Sequence, residues 1–192
     1  MSDFRPLAER TLHAWGVWSL VEGDFGAPGG DPFTRTFVRS PGAVGVVPLV
    51  FDAEGNPSVV LVRQYRYAVD AQVWELPAGR RDPGETPEQG ARRELEEEVG
   101  LRAKSLEPLL VFWTTPGFCD EVMHLFRATE LEPVPPRPEA DERIEPIGQC
   151  QDPADPSPRE RILGSGRLVL VIERLPDGLW VAVLSGVDAA HD

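Results

Sequence analysis

Cysteine is scarce in this chain. There are two, Cys119 and Cys150, far apart and without CxxC spacing, which excludes a disulfide framework and gives no sign of a zinc site. Basic charge is scarce as well: 19 lysines and arginines stand against 32 aspartates and glutamates, a net charge of −13. A field of that sign argues against a general nucleic-acid or membrane-surface binder. An anionic substrate must then be met by local arginines and by metal. No apolar run approaches membrane-spanning length, and the opening MSDFRPLAER lacks the charged-then-apolar pattern of a signal segment. The cytoplasm is the expected compartment. No internal repeat is visible.

What is present fits one soluble domain. The 192 residues are 41% hydrophobic and 27% charged, enough chain to bury a core. Thr11 to Leu20 and Pro32 to Arg39 flank a glycine-rich turn at Gly26 to Asp31 and read as a β-hairpin. Trp15 and Trp18 read there as packing residues and Arg35 as a solvated strand charge. Gly42 to Phe51 is a continuous apolar run, a buried strand, with Ser58 to Tyr65 returning after a turn at Asp52 to Pro57. Leu106 to Thr114 and Glu121 to Ala128 read as strands around Pro116-Gly117. Together these predict a mixed sheet with helices packed on it, an α/β class. Residues 133–158 hold eight of the 20 prolines and read as loop. Arg167 to Ser185 reads as two strands joined at Pro176-Asp177-Gly178.

The stretch from Gly79 to Leu101, GRRDPGETPEQGARRELEEEVGL, stands apart. Thr86 as N-cap, Pro87 at the first helical position and Gln89 closing a capping box predict a helix start. Gly100 is placed for a left-handed C-cap. Ala91, Leu95 and Val99 form one buried stripe, with Glu94, Glu97 and Glu98 on a face beside it. Glu94 and Glu98 are like charges at i,i+4, which costs about 0.2–0.5 kcal/mol, so stability does not account for them. Val73 to Ala78 leads into a loop over Gly79 to Glu85, and strand, loop and helix converge carboxylates on one point. Oxygen-only donors of this kind suit Mg²⁺ or Mn²⁺ rather than zinc, with waters and substrate phosphates as the other ligands. The residues themselves point to a metal-assisted phosphate site.

Gly79, five residues, Glu85, seven residues, then Arg93-Glu94-Leu95-x-Glu97-Glu98-x-Gly100-Leu101 is similar to the Nudix hydrolase signature at every defined position. The resemblance implies an α/β/α sandwich with a mixed sheet and hydrolysis of a nucleoside diphosphate linked to another group. Gln64-Tyr65-Arg66 with Trp74 to Gly79, the loop Pro116 to Glu121 with its proline sixteen residues after Gly100, and Ala140 to Ile144 resemble the ADP-ribose pyrophosphatase branch. Carried over, Glu94, Glu98 and the carbonyl of Ala78 become metal ligands, with Glu97 a further ligand or a base near the metal. Arg93 and Glu85 become the ion pair that fixes the loop on the helix. Arg35 and Arg66 would meet phosphates or terminal ribose, Glu121 the ribose side, and Pro116 the same substrate loop. Trp18 would stack on adenine, core packing being its other reading. Glu142 would take the proton of a water activated by Mg²⁺ (Mn²⁺ as substitute), giving AMP and a sugar phosphate.

The branch implies a homodimer through residues 1–40, a core over 41–145 and, here, an atypical segment over 146–192. For that segment a different C-terminus and a shifted reading frame are both open. Two functional alternatives also stand: a Nudix hydrolase acting on NADH, a dinucleoside polyphosphate or a nucleoside triphosphate, and a non-catalytic nucleotide-binding Nudix module.

Overall fold

A computed structural model describes residues 4–51, 53, 55, 57–135, 144–146, 169–174 and 180–185. The chain divides into two compact units, Met1–Ile147 and Gly148–Asp192. In the second unit β12 (Val169–Arg174) and β13 (Trp180–Ser185) pair antiparallel, as the sequence predicts for those strands. Their connecting turn lies outside the described residues.

The first unit is built on β4 (Ala43–Phe51). Its residues Ala43 to Pro48 are buried along six consecutive positions, which is what a strand covered on both faces requires. One edge of β4 pairs parallel with β10 (Val122–Pro133), and β10 pairs antiparallel with β9 (Leu101–Trp113). The other edge is shared between two short strands: β8 (Ala78–Arg80) on its first half and β5 (Pro57–Val59) on its second. Parallel and antiparallel pairs thus make one mixed sheet. On it lies α1 (Pro87–Val99), the helical part among the described residues. Val44, Val46, Phe126, Ala128, Leu101 and Ala103 from the sheet enclose Ala91 and Leu95 from the helix.

The helix begins and ends where its sequence dictates. Thr86 accepts from the Gln89 N–H, Gln89 accepts from the Thr86 N–H, and Gly100 takes φ +63°. The chain then enters β9 at once, five residues before the expected start at Leu106. Alternation of buried Leu101 and Ala103 with exposed Arg102 and Lys104 carries that extension. The predicted return strand Ser58 to Tyr65 is divided, since Pro57–Val59 follows β4 whereas β6 (Val62–Arg66) turns to β7 (Ala71–Glu75) and β11 (Ile144–Pro146).

The N-terminal region departs further from expectation. Thr11 to Leu20 is not one strand but the end of β1 (Arg5–Trp15) and the start of β2 (Trp18–Gly26). Gly16, at φ +54°, turns the chain so that Trp15 pairs with Trp18, the tight two-residue turn that strand twist favours. With β3 (Phe33–Arg39) this gives a three-stranded antiparallel sheet rather than a lone hairpin.

Leu95 has no exposed surface and packs at the centre of the helix–sheet core. Leu95→Ala should lower unfolding free energy by about 2–5 kcal/mol, read as a lower urea midpoint; an unchanged midpoint would remove Leu95 from the core.

Candidate active site

The site starts from the register of β8 on β4. Gly79 faces Val44, with Ala78 and Arg80 facing Gly45 and Ala43. The Val46 N–H donates to the Pro77 carbonyl at 2.9 Å and the Arg81 N–H to the Gly42 carbonyl at 3.3 Å. Odd-numbered residues therefore spend their backbone groups on β4, and Ala78 and Arg80 turn theirs to the open edge. There the Ala78 N–H donates to Glu98 Oε2 at 2.9 Å and the Arg80 carbonyl accepts from Arg93 Nη2 at 2.9 Å. The Ala78 carbonyl shares this edge. The stretch over Gly79 to Glu85, expected as loop throughout, thus opens as strand.

Side chains alternate across the same strand, and Gly79 turns its missing side chain to α1. A Cβ placed there would lie 2.1 Å from Glu94 Oε1. Only glycine lets that carboxylate lie flat against the strand. Glu94 and Glu98 are 5% and 3% exposed, the only buried charged residues among those described.

Arg93 ties this arrangement together. Its Nε and Nη2 donate to the two oxygens of Glu85 at 3.0 and 3.1 Å, and its Nη1 to Glu94 Oε1 at 2.8 Å and Glu97 Oε2 at 2.9 Å. The guanidinium holds Glu85 below the usual carboxylate range, against the opposing effect of burial and with help from the Asp82 N–H. Arg93 is in turn held above its ordinary range, first by Glu85. Breaking a buried pair typically costs about 3–5 kcal/mol, well above the ~0–1 kcal/mol of an exposed one. The half-buried Arg93 lies between these limits.

Among the described residues no three His, Cys, Asp or Glu side chains cluster closely enough to hold an ion by themselves. The donors are instead two buried carboxylates, Glu94 and Glu98, beside the edge that carries the Ala78 carbonyl. That all-oxygen set, cradled against a glycine whose Cβ would fill the space, fits a hard divalent cation that keeps waters and phosphate oxygens as further ligands. Glu97 shares its carboxylate with Arg93.

The remaining candidates are distributed around β8. Trp18 does join the neighbourhood, and the Arg80 guanidinium lies over its ring, 5.5 Å from the centroid. Arg80 was not among the sequence candidates; its period-two relation to Ala78 was the available signal. Arg66 forms a forked pair with Glu75, Nε to Oε1 at 2.8 Å, on the hairpin that leads into β8. Glu121 accepts from Ser40 Oγ at 2.9 Å and from Thr114 Oγ1 at 3.1 Å. Pro116 is exposed in the turn that precedes it. Arg35 has local contacts on β3, donating to the Thr34 carbonyl and lying over Phe33. Glu142 lies outside the described residues.

Gly79→Ala meets the far end of a flexible side chain, so the fold should survive while Glu94 is displaced. Calorimetric titration with Mn²⁺ should show affinity about 10- to 100-fold weaker. Wild-type affinity in the variant would detach Glu94 from the metal.

Residues 39–163 match the NUDIX domain. The chain is 38% identical over 138 residues to the ADP-ribose pyrophosphatase of Bacillus subtilis (strain 168), covering 72% of each. It is 40% identical over 139 residues to the ADP-ribose pyrophosphatase of Mycobacterium tuberculosis (strain ATCC 25618 / H37Rv), covering 72% of this chain and 65% of that one. A crystal structure described as an ADP compounds hydrolase superposes with a TM-score of 0.62 over 85% of this chain and 96% of its own, at 23% identity, a likeness of fold. With its glycine-backed carboxylates and arginine tie in place, this chain belongs to the Nudix family.

Proposed function

We propose that the protein hydrolyses the pyrophosphate bond of ADP-ribose or a related nucleoside diphosphate sugar, giving AMP and a sugar phosphate, with Mg²⁺ as the cation and Mn²⁺ as its substitute. The observation that carries this is the β8 edge. Ala78 and Gly79 are locked to Glu98 and Glu94 in a chain whose relatives in two bacteria bear the ADP-ribose pyrophosphatase name. When bound, a divalent cation supplies charge neutralisation at the pyrophosphate and acidifies a water. Glu94, Glu98 and the Ala78 carbonyl would hold it. Arg93 keeps the helix and the β8 edge in register, which matters because misplacement by about 1 Å can cost 100-fold in rate. Glu97 serves as a further ligand or a nearby base, and Glu142 takes the water's proton.

On the substrate side, Arg66 and Arg35 meet anionic groups, Glu121 the ribose and Pro116 the turn around it. Trp18 offers its ring to adenine on whichever face Arg80 leaves open. Cys119 is a free thiol, which suits a reducing compartment, and we assign the reaction to the cytoplasm. Among the described residues no helix is long and apolar enough to cross a membrane.

A second copy of the chain is the proposed partner. β1 is an edge strand exposed along all 11 residues, with Leu7, Leu12 and Trp15 each more than 40% exposed. Such an edge is a template for pairing. Light scattering should give twice the chain mass, and Leu12→Glu should shift it toward one; a monomeric wild type at micromolar concentration would end this reading.

The substrate reading is tested by phosphate release, coupled to alkaline phosphatase, from ADP-ribose, ADP-glucose, NADH, dinucleoside polyphosphates and nucleoside triphosphates. ADP-ribose should lead, with turnover lost in EDTA. Glu98→Gln should lower kcat by about 100-fold or more with the fold intact. A preference for triphosphates, or a fully active folded variant, would overturn the assignment.

A further inference from the structure

One cavity lies apart from the carboxylate edge. It is lined by Ser40, Pro41, Gly42, Arg81, Asp120, Val122 and His124 and holds about 200 Å³. A water's share of liquid volume is about 30 Å³, so the space admits a larger group. Arg81 follows Gly79 by two residues and therefore projects on the α1 side of β8. His124 belongs to the same side, since Phe126, two residues on, packs in the helix–sheet core.

Arg81 Nε is buried and has no hydrogen-bond partner, one of two such side-chain atoms among the described residues. Its Nη2 reaches only the Pro41 carbonyl, at 3.3 Å. A buried charged donor without an acceptor is costly. Gly42, at φ +84°, lies directly over this guanidinium: a Cβ there would come within 3.7 Å of Nε. Burial and the charge of Arg81 hold His124 below its ordinary range, and a neutral imidazole still offers one N–H donor. The acidic groups around the cavity are engaged. Asp120 accepts from Arg39 Nη1 at 2.7 Å and from the Ser40 N–H at 2.9 Å, Glu121 accepts from Ser40 Oγ and Thr114 Oγ1, and Glu85 accepts from Arg93.

We infer that this cavity binds a phosphate monoester or orthophosphate dianion, with Arg81 Nε and His124 as donors. A phosphate presents several acceptor oxygens and takes charge-assisted bonds from guanidinium. Both products of the proposed hydrolysis carry a phosphate monoester, so that reaction would supply the ligand; this link alone rests on the functional reading. Ser40 connects the two regions, since its N–H and Oγ bind Asp120 beside the cavity and Glu121 beyond it.

The probes are orthophosphate and ribose 5-phosphate, titrated into the full ¹⁵N-labelled chain in EDTA at matched ionic strength. The chain has three histidines, and His124→Gln assigns the imidazole signals. A saturable shift of His124, with His13 unmoved, is expected. Arg81→Gln should raise the half-saturating concentration about tenfold or more, and the Arg81 Nε signal of the wild type should move in step, a reading that needs no variant. Tighter binding of ribose 5-phosphate would place the source in the sugar phosphate, and the reverse order in free phosphate. No saturable His124 shift with either probe, or an unmoved Arg81 Nε signal, would overturn the site. Because neither probe contains a pyrophosphate bond, the result stands apart from whether the protein hydrolyses ADP-ribose.

Discussion

The fork of Arg93 on Glu85 is the interaction on which the rest depends. It is a charge-assisted, two-pronged contact, the strong kind of ion pair, and it closes the loop between β8 and α1. The same guanidinium reaches Glu94, Glu97 and the Arg80 carbonyl. Strand edge, loop and helix face are thus held by one planar group. A lysine could supply the charge but not the fork. The acidic helix face is tolerable for the same reason: like charges four residues apart cost only a few tenths of a kcal/mol, less than a single charge-assisted hydrogen bond at about 1.5–3 kcal/mol.

The strand supplies the other half of the constraint. Because β8 is only three residues long and pairs with β4 on one side, its opposite edge keeps backbone groups for function. Pairing parity decides which residues these are. Ala78 and Arg80 face outward, whereas Gly79 presents no side chain to the helix, so Glu94 and Glu98 can approach backbone directly. A one-residue slip would turn Ala78 inward and put a side chain against Glu94. Register, more than the identity of Ala78, is what suits this edge to the proposed cation.

What the sequence made legible was local. Thr86 and Gln89 are three residues apart and Gly100 ends the same helix, so caps, stripe and acidic face could all be read from 3.6-residue periodicity. The signature from Gly79 to Leu101 carried the family. The strand character of Gly79 and Arg80 was not legible, because it comes from pairing with Val44 and Ala43, more than thirty positions away. The third N-terminal strand was not legible either, since it follows from the turn that Gly16 makes at φ +54°, which a run of alternating residues does not reveal. The Ser40 partner of Glu121, 81 positions away, was hidden for the same reason as the β8 pairing. Ser40 meets Glu121 only once β4 and β10 pair, whereas Thr114 meets it across the β9–β10 turn.

Arginine placement resolves the apparent mismatch between a chain of net charge −13 and an anionic substrate. The overall field repels such a substrate weakly, being screened beyond about 8–10 Å at physiological salt. Close contacts escape that screening. Arg80 lies on the strand that carries the Ala78 edge and Arg66 on the β6–β7 hairpin before it, each already in contact with a neighbour: Trp18 for one, Glu75 for the other. A side chain held in place beforehand loses less entropy when it takes up a phosphate. An acidic surface and local arginines are therefore compatible in one chain, since the first acts at long range, where salt removes it, and the second at contact distance, where they would meet the phosphates of the proposed substrate.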